Sequence, residues 1–311
     1  MRYSPISRFR GTLLGAFLGE SLATGGKIKS HYLDLGRMAV LGTESLIVLG
    51  RLDLDDWIRR QQQESLHLAA DDISIKIILA TLPVTLFFHE NPIKLRQNLL
   101  HVLKIWEDDP VVRDGTLAVG YAISLALTEK LNPLTLIPQI ISFLGETPTS
   151  IPKKLLRVQN FLEQGARLSR AQAEFARQEE LSNTIAMAFY CFLSTLEDFR
   201  LAVLRATHNG NFKVEDATPL SSQATSAITG ALSGAYNGTG GIPVNWQVLL
   251  LQRNSSVWGL TSFSQMLKLI DTFVAVWSGM YNFSLHPGEL TEEGSEALLA
   301  VYAAPRVIRS R

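Results

Sequence analysis

The chain has 311 residues, with 29 basic and 29 acidic side chains and no net formal charge. A balanced chain without a polybasic tail lacks the electrostatic pull on which nucleic-acid binding depends, so that class of partner is set aside. Hydrophobic residues reach 46% while charged ones are only 19%, which implies a large core in which some helices are wrapped by others.

In chain order, Leu13-Leu14, Phe17-Leu18 and Leu22 recur at helical spacing. A helix beginning near Met38 is closed by Gly50, and Asp53 caps the next one, which carries Trp57-Ile58. Residues 73–88 are the most apolar stretch, but Lys76, Pro83 and a length short of a membrane span make them a buried helix, capped by Asp72. No membrane insertion is expected. Asp109-Pro110 has the form of a cap followed by proline at the first helical position, opening a helix through Leu127. Residues 132–144 form another apolar segment, with Pro138 an expected interruption.

Residues 145–152 are rich in Gly, Thr, Ser and Pro. They read as a loop between helices and not as a domain boundary, because composition is the same on both sides; one domain over residues 1–311 is expected. Arg157, Arg167, Arg170 and Arg177 then stand among leucines and alanines, as on a solvated helix face. Residues 182–206 are apolar and helical and hold the single cysteine, Cys191, read as a small buried thiol. One cysteine excludes an intramolecular disulfide and a cysteine zinc cluster. Residues 208–223 are polar, aperiodic and contain Pro219, and read as a loop. Residues 263–281 form an amphipathic helix, followed by an irregular tail from His286. Strand-like alternation is nearly absent, so the fold class is all-α. The opening residues show none of the parts of a secretory signal, and a cytoplasmic location is expected.

Two segments share a device. Gly11, Gly15 and Gly19 recur every four residues, as do Gly230, Gly234 and Gly238, and each set lies on one helical face. Glycine inside a helix costs about 1 kcal/mol against alanine, so two such stripes call for a compensating gain. Close approach of two helix backbones supplies one.

The order of parts carries more information. Residues 9–19 lead into an acidic residue, Glu20; Met38-Ala39 opens a helix; residues 185–192 are an apolar helix followed by Asp198-Phe199. The second glycine stripe then runs through Ala227-Ile228-Thr229-Gly230 to Tyr236, with Ile242-Pro243 and Trp246 after it. Together with Pro83 and Asp109-Pro110, this succession resembles the ADP-ribosylglycohydrolase family over residues 9–246. The resemblance implies a compact orthogonal multi-helix fold. It implies hydrolysis that removes ADP-ribose from arginine or related groups, with two magnesium or manganese ions held by aspartates and threonines of two motifs.

On this chain the first of those motifs falls on Leu33, Asp34, Leu35 and Gly36, and the second on Ser221, Ser222, Gln223 and Ala224. Paired dications need several carboxylates to offset their mutual repulsion. Of these positions only Asp34 is charged, and Glu20 stands where many members carry aspartate. Glu20 and Asp34 are the catalytic candidates, and Glu215 and Asp216 are acids that a rebuilt site would recruit, with magnesium or manganese bound only in that case. The histidines show no two-ligand metal spacing, and there is neither a phosphate-cradling Gly-Lys loop nor a nucleophile elbow. The expected protein is a member of the fold without its metal centre, binding a protein partner or an ADP-ribose-like ligand. The alternative is an active metal-dependent hydrolase with relocated ligands.

Overall fold

A computed structural model of the chain describes residues 3–23, 34–64, 73–106, 109–175, 181–207, 219–252, 258–260 and 262–280. The glycine stripes mark its axis. Helix α1 (Pro5–Ala23) carries the first stripe, and helix α13 (Pro219–Asn237) carries Gly230 and Gly234 of the second; Gly238, expected on the same helical face, instead follows the helix in a left-handed conformation with φ 59°. The two helices lie against each other over most of their length, the most extensive contact between elements in the described residues. A methyl group added to Gly15 would overlap the Gly230 carbonyl, and one on Gly19 would overlap the Ser226 carbonyl. Added to Gly11, it would strike the Gly234 carbonyl. Each pairing sums to the same number (11 with 234, 15 with 230, 19 with 226), so the helices run antiparallel. From Gly11 to Glu20 α1 is buried on every side, with Phe9, Leu13, Leu14, Phe17 and Leu18 all in the core.

The remaining helices wrap this pair. They are α2 (Asp34–Leu49), α3 (Leu54–Gln63), α4 (Ile73–Ala80), α5 (Leu82–Phe88), α6 (Pro92–Val102), α7 (Pro110–Leu127), α8 (Leu136–Leu144), α9 (Ile151–Glu163), α10 (Leu168–Phe175), α11 (Leu181–Leu193), α12 (Phe199–Thr207), α14 (Val244–Gln252) and α15 (Phe263–Ser278). No strand element occurs among the described residues, and no described helix is long and apolar enough to cross a membrane. One continuous apolar cluster runs from Phe9 to Val276.

Local chemistry explains most helix ends. The Asp53 carboxylate accepts the Asp56 N–H at 3.1 Å and starts α3; the Asp109 carboxylate accepts the Val111 N–H at 2.7 Å and starts α7. Gly50, in a left-handed conformation with φ 61°, closes α2 by donating its N–H to the Leu46 carbonyl. That helix begins four residues before Met38, at Asp34. The 145–152 segment joins α8 to α9 and is pinned to α7: Thr147 and Thr149 donate their hydroxyls to the buried Asp114 carboxylate at 2.5 and 2.6 Å.

Three prolines act differently from the expectations above. Pro138 does not interrupt α8, because it falls in the first turn, where N–H groups have no intrahelical partner to lose. For the same reason Pro219 opens α13, so residues 219–223, expected to be loop, are helical. Pro83 divides the expected 73–88 helix into α4 and α5, with Thr81 at the junction. The cap assigned to Asp72, like residues 208–218 and the tail from His286, lies outside the described residues. Residues 182–206 likewise divide, into α11 and α12; the Asp198 carboxylate accepts the Leu201 N–H at 2.8 Å to start the second. Around Gly165, α9 and α10 meet. The Arg157 and Arg170 guanidinium groups lie 4.7 and 5.4 Å from the Phe161 ring centre, and Arg157 pairs with Glu174, a partly stacked face more than a simply solvated one.

α15 closes over α1 through rings and one ion pair. Phe9 meets Phe273 and Trp277 at centroid distances of 5.9 and 5.2 Å, and Arg10 donates two hydrogen bonds to Asp271. His89 is buried beside them, 5.5 Å from Phe9 and 5.1 Å from Trp277, and burial pushes its pKa down to about 4.

Two outcomes follow from this packing. Gly15→Ala and Gly230→Ala raise helix propensity by about 1 kcal/mol, yet each is expected to destabilise the protein by about 1–3 kcal/mol through backbone overlap, read from denaturation midpoints. A gain in stability would show that the helices are not in backbone contact. The unfolded chain protonates His89 near pH 6.5 and the native chain only near pH 4. Stability from keeping the ring neutral is therefore whole above pH 6.5 and declines as pH falls toward 4, by about 3 kcal/mol in all. Denaturation of His89→Phe across that window is expected to lack this part of the slope.

Candidate functional site

The antiparallel contact of α1 and α13 fixes what lies at their shared end. α11 runs parallel to α13: the Thr229 hydroxyl reaches the Ala188 carbonyl at 3.4 Å, and the Asn237 amide reaches the Leu196 carbonyl at 2.9 Å, both spanning 41 residues. That offset sets Ser182 level with Gln223. The N-terminus of α13 thus lies beside the C-terminal turn of α1, which carries Glu20, and the N-terminus of α11 lies level with it on another side of α13. Helix N-termini present unpaired N–H groups and the positive end of the macrodipole.

The side chains at this end are mostly neutral and polar. Ser182, Asn183, Thr184, Gln223, Thr225 and Ser226 are all buried. Gln223 is 4% exposed, and its Oε1, like the Ser226 hydroxyl one turn away, has no hydrogen-bond partner among the described residues. Ser222 directs its hydroxyl toward the Thr207 carbonyl at 3.4 Å. Ala224 is buried and apolar.

Glu20 is the one carboxylate of the two motif regions whose surroundings are described. It is 7% exposed and accepts a hydrogen bond at 2.9 Å from the indole N–H of Trp258. Trp258 is itself buried, at 2%, and its ring stands edge-on to Phe17, with centroids 5.7 Å apart at 84°. The same indole lies flat against Gly36, where any Cβ would overlap the ring. Two positions singled out by sequence, Glu20 on α1 and Gly36 on α2, are therefore brought together by a residue that sequence reasoning did not select. The only signal for it was an isolated Trp-Gly pair in the polar stretch after α14. Trp258 has φ 56° and Gly259 φ 72°, so the backbone turns through two left-handed residues to aim the ring inward.

Beside this contact lies an ion-pair network between α2 and α3. Arg37 donates to Glu64 and faces Glu44 at 3.6 Å, while Arg60 bonds Asp56 at 2.7 Å. Hydrogen bonding from Arg37 holds the Glu64 carboxyl below its ordinary range; burial pushes Glu44 upward against the pull of Arg37 and Arg60. Burial also acts to raise Asp56, but hydrogen bonds from Arg60, Ser45 and Arg59 outweigh it and bring it down to about 2. These charges pair with one another, and the Arg37 side chain lies against Gly259, next to Trp258.

The other expected residues are not brought into the contact by anything described. Asp34 and Leu35 are the first residues of α2, and Ser221 lies in the first turn of α13, but their side chains are outside the described set. Leu33, Glu215 and Asp216 lie wholly outside it. Among the described residues, no group of three or more His, Cys, Asp or Glu is placed to hold a metal ion. Cys191 is fully buried in α11, and burial pushes its thiol up to about 12, so it is not a nucleophile of this site.

Trp258→Phe keeps a ring in the slot and removes its N–H. It is expected to cost about 1.5–3 kcal/mol, the range for a hydrogen bond to a charged group, as measured by chemical denaturation. A change below a few tenths would mean that the indole–Glu20 bond does not form.

Comparison with known proteins gives the following. A family model described as ADP-ribosylglycohydrolase matches residues 1–279, which extends the sequence resemblance at both ends and takes in α14, α15 and Trp258. A solved structure described as an ADP-ribosylglycohydrolase-related protein complex matches with a TM-score of 0.59 at 17% identity, covering 88% of this chain and 98% of that one. At that identity the likeness shows the fold alone. No curated protein matches the sequence.

Proposed function

The chain belongs to the ADP-ribosylglycohydrolase family, and we propose that it is a non-catalytic member, acting through a remodelled cleft that binds a protein partner or an ADP-ribose-like ligand. The observation that carries this reading is the buried Glu20–Trp258 hydrogen bond. A buried carboxylate already bonded by an indole N–H has that oxygen committed, and a divalent ion would have to displace the indole to take it.

The donor set points the same way. Gly36 has no side chain, Ala224 is apolar, and Gln223 offers an amide oxygen without charge. Against four positive charges on two ions, Glu20 and Asp34 together supply two negative ones, and the excess repulsion between dications goes unmet. The described residues do not fit a dinuclear centre, and no reaction step is derived through one.

What remains suits binding better than hydrolysis. The unpaired oxygens of Gln223 and Ser226, beside helix N-termini, are sites for hydrogen bonds to a polar ligand. A buried polar atom left unpaired costs about 1–3 kcal/mol, a cost that a ligand or an ordered water would remove.

Calorimetric titration with manganese is expected to show no tight binding, and ADP-ribosylated arginine is expected to remain intact with either magnesium or manganese. Two micromolar manganese sites would overturn the reading. Release of ADP-ribose that disappears in Asp34→Ala with the fold intact would establish instead an active hydrolase whose ligands have moved, with Glu215 and Asp216 the acids to examine next.

A further inference from the structure

We propose that the slot between α1 and α2 is a binding site for a planar heteroaromatic group bearing an N–H donor, and that Trp258 is the chain's own competitor for it. The proposal rests on the metal-free reading, because a dication and an indole N–H would contend for the same carboxylate.

The slot has three walls, each suited to such a group. Gly36 is the floor: its missing side chain leaves room for the face of a ring and for nothing thicker. Phe17 forms an aromatic wall that meets the ring edge-on, the arrangement in which the positive ring edge faces the negative π cloud. Glu20 is the polar end, a buried acceptor 2.9 Å from the one N–H the indole carries. A flat apolar body with a donor on its rim satisfies all three at once. An aliphatic group would leave the carboxylate without that donor, and a cation of tetrahedral shape would not lie flat on Gly36.

The tether of the present occupant is strained. Trp258 holds φ 56°, a conformation disfavoured for bulky L residues, and Gly259 follows at 72°. Backbone strain of this kind subtracts from the hold of the tethered indole. A free ring of the same chemistry carries no such strain, although it must compete with the high effective concentration that tethering confers. The contact is thus a displaceable plug: closed when no ligand is present, open when a matching ring takes the slot.

The test uses the full chain in EDTA with indole as the probe. Trp258→Gly removes the plug and relaxes the backbone, since glycine accepts φ 56° freely. Indole at millimolar concentration is expected to raise the melting temperature of this variant and to shift the wild type far less. 1-Methylindole, which lacks the N–H, is expected to bind about tenfold more weakly, as the loss of one hydrogen bond to a charged acceptor implies. No response of Trp258→Gly to indole, or equal binding of the two compounds, would overturn the proposal. If Trp258→Gly does not fold, wild-type protein carrying 5-fluorotryptophan serves, its Trp258 fluorine resonance assigned by its absence in Trp258→Phe. Indole is expected to move that resonance, and an unmoved resonance overturns the proposal. A negative result without metal leaves the non-catalytic reading standing, whereas manganese binding by the wild type removes the premise of both.

Discussion

Backbone-on-backbone contact between α1 and α13 is the constraint from which the rest of the molecule follows. Each glycine inside these helices gives up about 1 kcal/mol of helix propensity, and with three in α1 and two in α13 the loss is large against the marginal stability of any fold. The loss is offset because peptide groups of facing helices come into direct van der Waals contact, at a distance no pair of side-chain-bearing helices can reach. A contact so close has essentially one register. Sliding either helix by a residue would drive a Cβ into a carbonyl.

That register determines the site. It sets the last turn of α1, which carries Glu20, beside the first turns of α13. α15 packs directly on α1, and α2 packs in turn on α15, α3, α4 and α5. Gly36 and the Trp258 segment then meet over Glu20. Burying a carboxylate is costly unless it is hydrogen-bonded; the indole N–H provides one such bond to Glu20 while the rest of the ring stays apolar. Among the described residues, Glu20 is thus a buried acid bonded by an aromatic donor.

Much of the helical pattern was readable locally. Asp53 and Asp109 cap their helices because a short carboxylate reaches the N–H groups of the following turn, an interaction complete within four residues. Gly50 ends α2 by the same short-range logic. The misreadings share one cause. Pro138 and Pro219 look like breaks on a sequence, but their effect depends on whether they fall in a first turn or an interior. Of the candidate residues, Glu20 and Gly36 were legible through their places in an ordered succession of motifs. Trp258 was not, because nothing near it in sequence indicates that it reaches back across more than two hundred residues to Glu20.

The sequence by itself determined the all-α class, the glycine stripes and hence the close helix pair, the family, and the scarcity of acidic residues at positions 33–36 and 221–224. These are matters of residue identity and short-range spacing, which chemistry constrains without reference to distant contacts. Only the tertiary structure decided what occupies the place beside Glu20. That outcome depends on the geometry of three elements far apart in the chain and on two left-handed residues that turn an indole inward, and long-range juxtaposition leaves no periodic trace in a sequence.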